Sequence, residues 1–175
     1  MSDSKNPRFD AVARLCPACG MCCNGVLFGD VELWRGDAAG RLAGLGLDLF
    51  RKGRKTAFSQ PCACFDGKHC RIYGDRPKPC RAFECRLLQR VQAGDMKPAM
   101  ALRKIGEARD RAEEVRRLLR VFGNHDEGSP LNRRYAAVLA QPIELDGDPA
   151  KIEQRGKLLR AVHKLVKRLQ NDFIA

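Results

Sequence analysis

All nine cysteines of this 175-residue chain fall between Cys16 and Cys85, and the 90 residues that follow contain none. Thiols packed this densely must pair as disulfides, bind metal or be buried singly, and the compartment decides which. The opening MSDSKNPRFD has no basic n-region followed by an apolar h-region, and no apolar run reaches membrane-spanning length. The expectation is a soluble, cytoplasmic protein, where thiols are kept reduced and structural disulfides are rare. Metal is then the first explanation, and at least seven of the nine cysteines are expected to ligate zinc or an iron–sulfur centre.

The first group is CPACGMCC, with Cys16, Cys19, Cys22 and Cys23. Cys16-Pro17-Ala18-Cys19-Gly20 has the form of a metal knuckle, in which two intervening residues let the chain turn around one ion. Gly20 can take a positive φ and so aim backbone N–H groups at sulfur. The adjacent Cys22 and Cys23 are hard to place on one tetrahedral ion, because neighbouring side chains diverge. They point to ligands divided between two ions, or to a polynuclear centre. The second group, PCACFDGKHCRIYGDRPKPCRAFEC, holds Cys62, Cys64, Cys70, Cys80 and Cys85. Pro77 and Pro79 stiffen the approach to Cys80. Arg71, Arg76 and Arg81 lie close by in sequence, either as a solvated face or as compensation for thiolate charge or an anion-binding group.

Together these two groups resemble the YkgJ-like cysteine-cluster family, the CxxCxxCC family of zinc- or iron-chelating domains. Its pattern of CxxCxxCC, then a cysteine, seven residues and a cysteine, then IY..RP..CR.F.C is met over about residues 16–90. The matching residues are Cys16, Cys19, Cys22 and Cys23, then Cys62 and Cys70, then Ile72, Tyr73, Arg76, Pro77, Cys80, Arg81, Phe83 and Cys85. The resemblance implies eight metal ligands: Cys16, Cys19, Cys22, Cys23, Cys62, Cys70, Cys80 and Cys85. Cys64 departs from the pattern and reads as a buried free thiol. The resemblance also implies an alternative activity, since similar proteins are described as iron–sulfur proteins or oxidoreductases, and flagellin lysine N-methylases carry a similar cysteine arrangement.

Eight thiolates suit two tetrahedral zinc sites, and a closed all-sulfur set favours structural zinc. They equally suit an iron–sulfur cluster, because Cys16, Cys19 and Cys22 repeat the first three ligand spacings of a bacterial ferredoxin. The fourth ligand would have to come from the second group.

Outside the cysteines the chain is expected to be mainly α with little β. A small metal-stapled region (residues 1–95) packs with a C-terminal set of amphipathic helices (residues 96–175), the two forming a single domain. In the first part, Asp37 is positioned to cap a short helix through Leu45. Leu47–Phe50 and Thr56–Ser59 flank the RKGRK turn as a hairpin. In the second, FECRLLQRVQAG reads as a helix closed by Gly94. A longer helix over Pro98–Phe122 carries an apolar stripe of Ile105, Ala108, Ala112, Val115, Leu119 and Phe122, stopped by Gly123 and Asn124. A short helix follows over Leu131–Ala140, ended by Pro142. Asp148 and Pro149 open a last helix with Ile152, Leu159, Val162, Leu165, Val166, Leu169 and Phe173 on one side. Packing of these helices within the chain is favoured over a coiled-coil dimer, since each stripe spans only about three heptads.

The formal charge of +12 raises nucleic acid as a partner. Its distribution argues against it: 16 Lys/Arg face 10 Asp/Glu in residues 1–95, and 17 face 11 in residues 96–175. Eight thiolates on two divalent ions would lower the total by roughly four. His69, His125 and His163 are scattered, with no HExxH pattern, and no glycine-rich phosphate loop is present. A zinc-dependent adaptor for protein or nucleic acid would need a second knuckle like CPACG, and the lone Trp34 offers little for base stacking. A metal-binding module is the reading the residues favour, with an iron–sulfur enzyme and a zinc adaptor as alternatives and no catalytic residue assigned.

Overall fold

A computed structural model of the protein describes residues 7–142 and 148–174. It is mainly α with a small sheet, and its C-terminal helices pack against the cysteine-rich part. The larger core is helical. It is built by α1 (Pro7–Cys19), α4 (Arg86–Gln92), α5 (Pro98–Val121), α6 (Leu131–Ala140) and α7 (Pro149–Asp172). Along α5 the buried positions are Ala101, Ile105, Ala108, Ala112, Val115, Leu118 and Leu119. The three alanines keep this face low, so α7 lies close along it with Leu158, Ala161, Val162, Leu165 and Leu169. Each fully buried Leu or Val contributes about 1.5–3 kcal/mol of burial. Asp148 opens α7 by accepting the Ala150 N–H at 2.9 Å, the capping expected from the sequence.

Two residues assigned to the buried stripe of α7 lie outside it: Ile152 is 41% and Leu159 58% exposed. Leu158 takes the inner position instead. Consecutive helical residues are about 100° apart, so one of the two leucines must face water. The N-terminal helix α1 is not evident in the sequence either. It buries Ala11 and Leu15 against α4 and α5, and it contains Pro17 in its last turn, where a proline looks like a breaker.

The smaller core lies under a three-stranded antiparallel sheet of order β1-β3-β2, with β1 Asp30–Glu32, β2 Leu49–Lys52 and β3 Lys55–Ser59. The hairpin read from the sequence is present, with Leu49 opposite Phe58 and Lys52 opposite Lys55. The third strand, β1, pairs Asp30 with Ser59 and Glu32 with Ala57. Beneath the sheet Leu42, Leu47, Phe58, Cys64 and Ile72 form a compact cluster. Leu42 comes from α2 (Ala39–Gly44), and this helix corrects one expectation. Asp37 does not cap it. One carboxylate oxygen accepts the Trp34 N–H at 2.9 Å and the other accepts the Lys78 N–H at 2.9 Å, which opens α3 (Lys78–Ala82). A capping residue of the right type therefore serves a helix 41 residues away, a choice made by tertiary packing.

Among the described residues no helix is long and apolar enough to cross a membrane. The expectation drawn from the first ten residues falls in part on residues 1–6, which lie outside the described residues.

Candidate metal centre

The site sits where the two cores meet. Cys16 and Cys19 occupy the last turn of α1 rather than a free-standing knuckle. Gly20 ends the helix with φ +66°, and its N–H donates to the Cys16 carbonyl at 3.0 Å. A Cβ at Gly20 would lie 2.8 Å from the Phe65 ring, so the position excludes side chains by space as well as by conformation. The Gly20 carbonyl then accepts the N–H groups of Cys23 (2.9 Å) and Asn24 (3.0 Å). This tight turn presents Cys22 and Cys23, while Met21, 1% exposed, anchors it in the helical core.

The second group is delivered by three short devices. The Cys62 N–H donates to the Cys23 carbonyl at 2.8 Å and ties the two groups together. Residues 62–71 form a small closed loop: Phe65 and Cys70 make an antiparallel bridge, the Arg71 N–H donates to the Cys64 carbonyl, and Asp66 accepts the N–H groups of Lys68 and His69. A 3-10 turn at Tyr73–Asp75 leads into α3, which carries Cys80. Cys85 stands at the N-cap of α4.

One cleft of about 1070 Å³ is lined by Cys16, Cys19, Cys22, Cys23, Cys62, Cys70, Cys80 and Cys85. Cys64 is not part of that lining. It is 0% exposed in the sheet core, with its thiol 3.5 Å from the Leu45 carbonyl oxygen. His69 also borders the cleft but is exposed in its turn. Trp34 (53% exposed), Tyr73 (51%) and Phe83 (37%) form an aromatic rim to the cleft.

Burial favours the neutral form of Cys16, Cys19, Cys22, Cys23, Cys62, Cys80 and Cys85. Burial pushes Cys19 up to about 12, with the charges of Cys85 and Cys16 adding to it against the Met21 amide and Arg109. Burial likewise takes Cys23 and Cys80 to about 12 and Cys62 to about 11, and it holds Cys22 well above the ordinary value of 9.0. Cys85 is raised by burial too, opposed by the backbone N–H groups of Leu88 and Leu87 at the start of α4. Each thiol acts on particular others. Cys22 interacts with Cys19, Cys23, Cys85 and Cys16, and Cys80 interacts with Cys23, Cys62 and Cys70.

Of the three arginines singled out in the sequence, only Arg76 acts on several of these thiols, namely Cys16, Cys23 and Cys80. Its guanidinium lies 3.6 Å from the Tyr73 ring centroid, and its Nε donates to the Tyr73 carbonyl at 2.9 Å. Arg71 donates to the Ala63 carbonyl, and Arg81 is exposed on α3. A further cation, Arg109 of α5, was not foreseen from the sequence. It donates to the Ala18 carbonyl at 2.8 Å and acts on Cys19 from 90 residues away. No local pattern marks it, because it reaches the site only through the packing of α5 on α1.

Among the described residues no group of three or more His, Cys, Asp or Glu side chains is disposed to hold a metal ion in the arrangement described. The donor chemistry nevertheless fits a thiophilic cation, since eight thiols line one cleft. Neutral thiols have no charge to draw them onto a common centre, and eight anions would repel one another. Closing to ligand distance requires the cation itself.

Residues 15–99 match the family model of the CxxCxxCC family, described as a "Putative zinc- or iron-chelating domain". No curated protein and no solved structure matches the chain. The cleft and the family match coincide: all eight of its cysteines lie inside the matched residues, and α6 and α7 lie beyond them. From the last turns of α1 to the first residues of α5, the chain thus carries a domain of the CxxCxxCC family, a cysteine-rich family of the zinc- or iron-chelating type.

Proposed function

We propose that the protein chelates zinc or iron through thiolates supplied by Cys16, Cys19, Cys22, Cys23, Cys62, Cys70, Cys80 and Cys85. The observation that carries this is the sorting of the nine cysteines: the eight that match the family pattern line one cleft, and the ninth, Cys64, is buried in the sheet core beneath Cys62, Cys70 and Cys80 and does not line it. The bound metal supplies the cation that turns buried neutral thiols into thiolates and joins the sheet to the helical core. Arg76 and Arg109 offset the remaining negative charge, and residues 1–95 and 96–175 act as one folding unit because α1 is built into the helical core.

The test is metal analysis of protein purified anaerobically. Stoichiometric zinc in a colourless protein, or iron and sulfide in a brown one absorbing at about 400 nm, supports chelation and names the metal. Protein that carries neither, and that takes up neither when each is supplied under reducing conditions, overturns it.

A further inference from the structure

Granted that the eight thiolates hold metal, their placement also answers how they are shared. We propose that they form two adjacent four-sulfur centres with no thiolate in common: Cys16, Cys19, Cys22 and Cys85 on the helical side, and Cys23, Cys62, Cys70 and Cys80 on the sheet side.

Three observations carry this division. The first is what each cysteine is packed against. Cys19 and Cys85 rest on the helical core, whereas Cys62, Cys70 and Cys80 rest on the sheet core, and none rests on both. The second is the path of the chain. Cys16 and Cys19 share the last turn of α1, and the following turn brings Cys22 back toward them. The next residue, Cys23, is committed to the other side by the 2.8 Å hydrogen bond from the Cys62 N–H to its carbonyl. Adjacent residues that diverge cannot serve one small tetrahedral ion, but they can serve two ions set side by side. The third is neighbourhood. In charge, Cys22 is coupled to Cys19, Cys23, Cys85 and Cys16, Cys23 to Cys62, Cys70 and Cys16, and Cys80 to Cys23, Cys62 and Cys70, which accords with the packing and the chain path. Two interactions cross the divide, Cys22 with its chain neighbour Cys23 and Cys16 with Cys23. They mark the two centres as neighbours.

The division has chemical sense. Each set holds four sulfurs, which closes a tetrahedral ion. The first set is a CxxCxxC run completed by the remote Cys85, which is also a full ligand set for a cubane iron–sulfur cluster. Four thiolates on a divalent ion leave a net charge of −2 at each centre. Arg76 acts on members of both sets, and Arg109 acts on Cys19 of the first.

The experiment loads the full-length, metal-stripped protein with cadmium-113 and reads the metal by NMR. The expected result is two tetrathiolate resonances with no cadmium–cadmium coupling. Cysteine Hβ correlations should place residues 16, 19, 22 and 85 on one ion and residues 23, 62, 70 and 80 on the other. Coupling through a bridging sulfur, one shared centre, or correlations that mix the two sets overturns the division while leaving chelation standing. Uptake of no cadmium by the wild-type protein overturns chelation itself. Metal content of variants gives an independent reading. Cys85→Ser and Cys22→Ser, alone or together, should each keep one of the two equivalents, and Cys80→Ser should keep the other. Loss of both equivalents from folded Cys85→Ser means a single centre. Should a variant fail to fold, the spectrum of the wild-type protein decides.

Discussion

Cys64→Ala isolates the thiol that the structure sets apart. The side chain is 0% exposed and packs with Leu42, Leu47, Phe58 and Ile72, and its polar neighbours are the Leu45 carbonyl at 3.5 Å and the Cys62 thiol. Removing the sulfur forfeits burial of one heavy atom, about 0.8 kcal/mol by analogy with a methylene. A void of roughly 25 Å³ adds about 0.6 kcal/mol at ~24 cal/mol per Å³. The total of about 1.4 kcal/mol corresponds to a melting temperature about 3–6 °C lower for a chain of this size. Bound metal should not change. Cys62→Ser, two residues away, should instead lower bound metal and stability together, because serine leaves an ion with three sulfurs. Metal analysis and thermal melts of the two anaerobically purified variants make the comparison. If Cys64→Ala loses metal and Cys62→Ser keeps it, the match of the family pattern to this segment is displaced by two residues, and Cys70 falls with it.

Other outcomes follow from the same geometry. Burial raises the pKa of Cys16, Cys19, Cys22, Cys23, Cys62, Cys80 and Cys85 above the ordinary 9.0, to about 12 for Cys19, Cys23 and Cys80. Their contribution to the metal-free fold is therefore complete below pH 9 and lost as pH rises toward 12, so the urea midpoint of metal-free protein should fall over that window. The loaded protein should run the other way, holding metal at alkaline pH and releasing it as acid reprotonates the thiolates; a metal content independent of pH down to about 3 would contradict this. Asp172, 5% exposed, accepts from Lys104 at 2.7 Å and Arg168 at 2.9 Å, and Asp172→Ala should cost about 1–3 kcal/mol in urea denaturation, less than a fully buried pair because both cations are partly solvated. Stripping the metal with a chelator should expose residues 30–80 to protease before α5, and a limited digest that cuts α5 first would place the metal's structural effect elsewhere.

The long helices were legible because burial on one face imposes a period of 3.6, and Ile105, Ala108, Ala112, Val115 and Leu119 show it without help from the rest of the chain. The β2–β3 hairpin was legible from its Gly53 turn. What escaped were elements defined by partners. Strand β1 is three residues long and exists because β3 offers an edge, and α1 holds together although Pro17 removes one of its backbone donors. Leu159 and Leu158 are equivalent in composition, and only the neighbouring α5 decides which is inside. In the site, the family pattern picks out the eight cysteines that line the cleft, and the adjacency of Cys22 and Cys23 is the sequence's reason for expecting two ions or a polynuclear centre. Arg109 and the detachment of Asp37 from α2 could not be read, since each depends on contacts across 41 to 91 residues of chain.

The start of α4 has a consequence for how the molecule is assembled. The Arg86 N–H donates to the Phe173 carbonyl at 3.1 Å, and the Arg86 guanidinium reaches the carbonyls of Gln170 and Asn171. Cys85, one residue earlier, is thereby tied to the C-terminal end of α7. Cys23, Cys62, Cys70 and Cys80 have all left the ribosome while α5 to α7 are still being made. Cys85 acquires its clasp only once residue 173 has emerged and α7 has docked. During synthesis the residues of the sheet side are thus available early, whereas the setting of Cys85 is completed only after α7 has formed and docked.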